Sequence, residues 1–576
     1  MKHLVAFFFL LLPLFARGND KHQVSVADSI LKVARILMEK KDFELSIKHY
    51  KQSDSIYKKM LLPNDTLRSQ VTKEWMQCLI NYSEDETRKG NHMHAVELAE
   101  KARKIQLDAF GRNTEDYTII LYQKAMAYFA QKKYKEAIAL EKEVVEIRKS
   151  LFGTESEKYG SALHVLGYFY SSAGLGDDAI RYGEEAVAVY RSDKNADRLN
   201  YAYVLNNLSI YYENKGVLQK AIEIMEEALP IFEEKLDKKD ITYAKMLNNA
   251  AVIYGGLGKY QDAVRLGKKA VSVAQKRIGV KNEQYLKFLN DLATFYSELG
   301  DNKKAIELML SQLEICKEVL GEKNSQYFSY KNNLATFYNE QGDYLKALEL
   351  YSEIMQALGD REVFNEMDYA LCLVNMSTCW NELGDVVTAI KYTEEAQTIY
   401  KRNIGVEHPR YLDLQDNLAG FYAAIGDYPK AIEMISQQLT LVKKVLGENS
   451  MAYLARLNNL ASYYSYLGNY VSAIKIAEEA WAKSKGVLEV TQPLYATLLG
   501  NLANYYNAVE NVKGAIELTE ESLEIKKRVL GTKHPDIALS LNNLASYYFK
   551  SGNVMKALDY FLKAFEIYAE TESPNP

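Results

Sequence analysis

Paired amides recur through this chain at a fixed interval. Leu205-Asn206-Asn207-Leu208, Leu247-Asn248-Asn249, Leu457-Asn458-Asn459-Leu460 and Leu541-Asn542-Asn543-Leu544 all lie apart by multiples of 42 residues. An Asn side chain carries both a donor and an acceptor, so a row of them can match an extended peptide backbone without reading its side chains. The same amides can instead bond to neighbouring helices and set the distance between repeats, and both roles stay open. The first amide of each pair, at 206, 248, 290, 332, 458 and 542, is expected to be structural.

Other candidate chemistry is thin. His92 and His94 lie close together in a polar turn, but two ligands do not make a metal site. His408 and His534 belong to the repeated links Glu407-His408-Pro409 and Lys533-His534-Pro535, where a structural role is expected. Four cysteines, Cys78, Cys316, Cys372 and Cys379, are too few for a disulfide framework. Cys372 and Cys379 stand about 10 Å apart along one helix, too far to bridge, so all four read as small core residues. Glu-rich stretches such as Glu226-Glu227, Glu394-Glu395 and Glu478-Glu479 read as solvated faces. No nucleophile elbow, phosphate loop, HExxH or paired-cysteine motif appears. The expectation is no catalytic residue, no metal and no cofactor.

The elements that position these residues follow from the period. In the copy spanning 201 to 237, Leu205, Leu208, Tyr211 and Tyr212 recur at steps of three and four, and so do Ala221, Ile224, Ala228 and Ile231. That spacing makes two amphipathic helices, A and B. Gly216 forms the turn between them, with equivalents at 90, 174, 258, 300, 342, 384, 426, 468 and 552. A second glycine, at 111, 153, 279, 321, 405, 447 and 531, ends helix B. Ten consecutive helices A open with Tyr, at 117, 159, 201, 243, 285, 327, 369, 411, 453 and 495, read as an aromatic wedge between repeats with its hydroxyl at the surface.

The series Leu208, Tyr212, Gly216, Ala221, Ala228 resembles the tetratricopeptide repeat, and the extra eight residues with the Leu-Gly-x2-His-Pro link resemble its kinesin-light-chain-type 42-residue form. The resemblance covers twelve hairpins, with helix B alanines at 95, 137, 179, 221, 263, 305, 347, 389, 431, 473, 515 and 557. A degenerate thirteenth lies at about 27 to 60, where Ser46 replaces the alanine. The expected fold is all-α: a right-handed α-α superhelix, or solenoid, of about thirteen such hairpins over residues 24–570, counted as one domain. Three departures stand out. Pro230 should bend its helix, Gly359-Asp360 should shorten another ahead of the polar stretch from Arg361 to Asn365, and Gln312, Ile354 and Gln438 occupy positions expected to be small. The superhelix is expected to be least regular between about 305 and 440.

The resemblance also implies a binding role for the second amide of each pair, which in such repeats lies on the concave face and bonds a peptide ligand. The implied ligand-binding residues are Asn207, Asn249, Asn333, Asn375, Asn417, Asn459, Asn501 and Asn543, with Asp291 in the same row. Asn81 also fits the row, whereas Gln123 and Val165 interrupt it near the N-terminus.

Composition bounds the partners. With 71 Lys plus Arg against 76 Asp plus Glu, the charge of -5 is mild and the signs are interspersed, so nothing attracts a nucleic acid. Residues 1–18 place Lys2 and His3 before an apolar run from Leu4 to Phe15 and then Ala16-Arg17-Gly18. They read as a signal peptide, which makes the protein periplasmic or secreted. No later stretch is apolar enough for a membrane span. Leu558, Phe561, Leu562 and Phe565, at steps of three and four in the last helix before a polar tail at 571–576, should stay exposed. They form a candidate homo-oligomer contact, or a contact with another protein. The chain reads as an exported, non-enzymatic scaffold that binds a peptide or unstructured segment on its concave face. The alternatives are a sensory or regulatory arm acting with a separate kinase or protease, and a structural spacer in an envelope assembly.

Overall fold

A computed structural model describes residues 20–62, 65–193, 195–358, 365–485, 493–530 and 535–571. Among these residues the chain forms 26 α-helices and no strand, the all-α array that the 42-residue period requires. The signal segment at 1–18, the stretch Gly359 to Phe364, the link residues Gly531 to His534 and all of the polar tail after Thr571 lie outside the described residues.

The helices fall into two compact units, Met1–Leu299 and Gly300–Pro576. In the first unit, Asp20–Glu39 packs on Phe43–Met60, five more antiparallel pairs follow, and Glu283–Glu298 comes last. The second unit opens with Asn302–Leu320 and then holds six pairs, from Ser325–Glu340 on Tyr344–Leu358 to Pro535–Lys550 on Val554–Thr571. Within each unit the first helix of a pair also touches the first helix of the next, as Arg198–Asn214 touches Ile241–Gly256 and Met451–Tyr466 touches Pro493–Ala508. A continuous face of first helices results in each.

Local sequence explains where helices start and stop. Asp197, Asp240, Asn282, Asn324 and Ser450 cap first helices through their side chains, each cap adding about 1 kcal/mol. His408 does the same, its Nδ1 accepting from the Arg410 N–H at 3.2 Å, so its structural role is now specific. Gly216 turns between helices at φ 77°, in the left-handed region that costs a residue with a Cβ roughly 1–2 kcal/mol. Three hairpins have no glycine there, and Lys41, Lys132 and Glu510 adopt φ 60°, 59° and 63° instead.

The cores rest on the small residues. Ala137, Ala221, Ala305, Ala389 and Ala473 have no exposed surface, which lets the paired helices approach closely. Gln312, Ile354 and Gln438 are also buried at their oversized positions. The helix Leu218–Lys235 runs through Pro230, and the shortened helix ends at Leu358. All four cysteines are free and buried, and burial pushes the Cys372 thiol up to about 12. No helix among the described residues is long and apolar enough to cross a membrane.

Candidate functional site

The structure sorts the asparagine row into two sets. Asn249 donates from Nδ2 to Oδ1 of Asn206 at 3.0 Å, Asn375 to Asn332 at 3.2 Å, and Asn501 to Asn458 at 2.9 Å. Each bond reaches back 43 residues, one repeat plus one position, from one first helix to the preceding one. Asn207 bonds the same way to Nε2 of His164 at 2.7 Å. Burial lowers the His164 imidazole to about 4, which keeps it neutral and able to accept. Asp291 reverses the polarity, accepting from Asn248 at 2.8 Å. In these repeats the first amide, at 206, 248, 332 and 458, is therefore the partner for the second polar residue of the next repeat's pair. That is why both recur.

Asn417, Asn459 and Asn543 fail to pair this way for a reason visible in sequence. Position 43 before Asn417 is Val374, and before Asn543 it is Gly500, neither of which has a side-chain acceptor. Before Asn459 it is Asp416, whose Oδ2 is taken by Arg456 at 2.6 Å. Asn417 is exposed, while Asn459, Asn543 and Asn333 are half-buried. Asn81 is instead bonded within its own helix, accepting from Gln77 at 2.8 Å.

Arg456 is a residue that the repeat pattern alone did not single out. It is only 3% exposed, in the row that elsewhere holds Val204, Met246, Phe288 and Leu414. Its guanidinium donates to Oε1 of Gln438 at 2.8 Å, to the Ala452 carbonyl at 3.1 Å and to Asp416. Gln438, conspicuous in sequence as too large, is thus the partner that makes a buried arginine tolerable. Oδ1 of Asp416 and Nε2 of Gln438 remain buried without a partner. Burial raises the Asp416 carboxyl to about 6 against the pull of Arg456.

The paired glutamates are not merely solvated. Glu394 accepts from the Tyr422 hydroxyl at 2.7 Å and Glu395 from Tyr369 at 3.0 Å; Glu226 accepts from Tyr254 at 3.0 Å and Glu227 from Tyr201; Glu478 accepts from Tyr506 at 2.5 Å. One acid of a pair holds the opening tyrosine of its own repeat, 26 residues back. The other holds a tyrosine of the next repeat, 28 residues on. The hydroxyls of the opening tyrosines Tyr201 and Tyr369 are thus bonded to carboxylates at the surface, and burial with the carboxylate neighbour pushes the phenol of Tyr422, which lies later in its helix, up to about 12.

Little else gathers chemistry. His94 Nδ1 lies 3.0 Å from Glu86, and both His92 and His94 open the helix His92–Phe110 rather than a loose turn. Among the described residues no three His, Cys, Asp or Glu side chains come together to hold a metal. A cavity of about 640 Å³ near the C-terminus is floored by Leu523, Ile537 and Leu541 and rimmed by Glu520, Lys527 and Lys563. No member of the asparagine row lines it.

The family profile of the tetratricopeptide repeat matches residues 75–150, 158–234, 211–276, 284–360, 411–482 and 494–570, well over half of the chain. No curated protein matches it. Among solved structures, the kinesin light chain TPR-like repeats of Podosopora anserina are 25% identical, with a TM-score of 0.33 over 37% of this chain and 100% of that one. BtubC from P. vanneervenii is 17% identical over 50% of this chain and 94% of its own, with a TM-score of 0.27. A Rap protein complexed with competence and sporulation factor is 14% identical over 80% of this chain and 99% of its own, with a TM-score of 0.40.

Proposed function

This chain belongs to the tetratricopeptide repeat family, and on that premise we propose that it is an exported, non-catalytic scaffold holding an extended protein segment against its face of first helices. One observation carries the reading. Asn417 and Asn459 present amide donors and acceptors that no neighbouring repeat uses, and an amide plane free on both sides is the group that pairs with a peptide backbone. The bonded amides Asn249, Asn375 and Asn501 define the face on which such a segment lies and retain their second donor and acceptor for it. Asn207, Asn333 and Asn543 complete the proposed row. Export rests on residues 1–18, with their basic start, apolar run and small residues at the end. The apolar side chains exposed on Val554–Thr571 give the chain a second contact surface.

Photo-crosslinking tests the reading directly. A benzophenone amino acid placed at Asn417 or at Asn459 is expected to capture the same partner from an extracytoplasmic extract. The probe at Lys513, exposed on a second helix, is expected to capture nothing. Equal labelling from all three positions, or none from the first two, removes the first-helix face as the binding surface.

A further inference from the structure

The last described helix, Val554–Thr571, carries an apolar face of which its predecessors bury the part at the Phe561 and Phe565 positions. Val554 is 58% exposed, Met555 78%, Leu558 53%, Phe561 41%, Leu562 54% and Phe565 69%. In the helix Tyr428–Val445 the residues at the Phe561 and Phe565 positions, 126 residues earlier, are Ile435 and Leu439, exposed by 0% and 9%. They pack in one core with Leu457, Leu460 and Tyr463 of the first helix that follows. Leu523, 42 residues before Phe565, is covered in the same way by Ile537, Leu541 and Leu544. Phe561 and Phe565 therefore stand where a first helix normally lies, and no described helix of the chain lies there.

We propose that a second copy of this chain covers this face, through a two-fold contact of one Val554–Thr571 helix with its partner. Three observations select that occupant. The six side chains expose between them the surface of more than three large residues, roughly 600 Å² at about 150–250 Å² for each large side chain. A pair buries roughly 1,200 Å², the lower bound of a stable specific interface. Val554, Leu558, Phe561 and Phe565 follow one another at steps of four, three and four residues, the seam along which two helices pack against each other. The charges are kept out of that seam, with Lys563 and Asp559 paired to each other at 2.6 Å on the helix flank. Residues 571–576 read Thr-Glu-Ser-Pro-Asn-Pro and supply no large apolar side chain. Two-fold self-contact is also the commonest closed arrangement, and it leaves no apolar seam open.

The inference rests on reading Val554–Thr571 as a contact surface, and the test separates the two. The mass of the full chain is measured by sedimentation at protein concentrations from 0.5 to 50 µM. The expected result is a species of twice 65.7 kDa, with a dissociation midpoint at or below ~10 µM. Phe561→Glu with Phe565→Glu is expected to return it to monomer with an unchanged far-ultraviolet spectrum. Because that pair of changes can disturb folding, Phe565→Cys provides a second measurement. Copper-phenanthroline oxidation should then give a reducible dimer, against no background from the four buried native cysteines. A strictly monomeric wild type, a dimer indifferent to both variants, or a dimer lost when residues 1–18 are removed overturns the proposal. A benzophenone probe at Phe565 that captures only a different protein overturns the second copy while leaving the contact surface standing.

Discussion

Replacing Asn206 by Ala removes one bond of the inter-repeat ladder and one within its own helix at once. Asn206 is 3% exposed, donates to Oδ1 of Asn207 at 3.1 Å and accepts from Asn249 at 3.0 Å. Each neutral hydrogen bond contributes about 1 kcal/mol net, and Asn249 keeps enough contact with water to recover part of its own loss. The expected cost is about 2 kcal/mol, against less than about 0.5 kcal/mol for Asn417→Ala, whose amide is exposed and bonded to nothing. In an array the cost stays near the altered repeat, so the assay is hydrogen exchange resolved by peptide. Exchange through local opening should accelerate about 30-fold in 198–256 for Asn206→Ala, and hardly at all in 409–424 for Asn417→Ala. A double-mutant cycle of Asn206→Ala with Asn249→Ala should return a coupling of about 1 kcal/mol. The ladder is not a structural device if Asn206→Ala changes exchange less than threefold, or if Asn417→Ala loosens its own repeat as much.

Glu510→Gly and Lys132→Gly should each stabilise the protein by roughly 0.5–1 kcal/mol, visible as a higher urea midpoint, because both positions hold a side chain at positive φ; the same change at Lys513, inside a helix, should lower it. Burial holds Asp416 at about 6, above its ordinary 3.8. Its contribution is full below about pH 4 and is lost as pH rises through about 6, so the second unit should gain stability between pH 7.5 and 5 through this group, and Asp416→Asn should remove that gain. Combining Arg456→Leu, Asp416→Asn and Gln438→Ala should be neutral or stabilising, while Arg456→Leu alone should cost about 1–3 kcal/mol by stranding Asp416 and Gln438, as read by denaturant unfolding. Complete burial raises Glu141 from 4.5 to about 8; its contribution is full below about pH 4.5 and is lost as pH rises to about 8, and Glu141→Gln should flatten the resulting decline of the first unit between about pH 5 and 8, followed by circular dichroism.

The repeat period alone determined the helices, their pairing and their ends, because those depend on local forces. Steps of three and four set the buried stripe, Gly216 and its equivalents fix the turn, and Asp240 or Ser450 caps its helix within two or three residues of itself. The asparagine pairs were equally legible as a pattern. What the pattern could not assign was the use of each amide, since Asn501 bonds to Asn458 and Asn417 bonds to nothing only because stacking sets position 43 opposite, where Val374 offers no acceptor. The same holds for the acidic pairs. Glu394 and Glu395 are two adjacent charges in sequence; Glu395 becomes an acceptor for Tyr369 only when its own hairpin closes, and Glu394 for Tyr422 only when the next repeat lies against it. Arg456 shows the limit most plainly: a charge in an apolar row is an anomaly along the chain, and becomes a satisfied core residue once Gln438 and Asp416, 18 and 40 residues away, converge on its guanidinium. Periodicity reports the burial of a face; only tertiary packing decides which polar atoms meet across it, because a hydrogen bond depends on angstroms of separation that no local preference fixes.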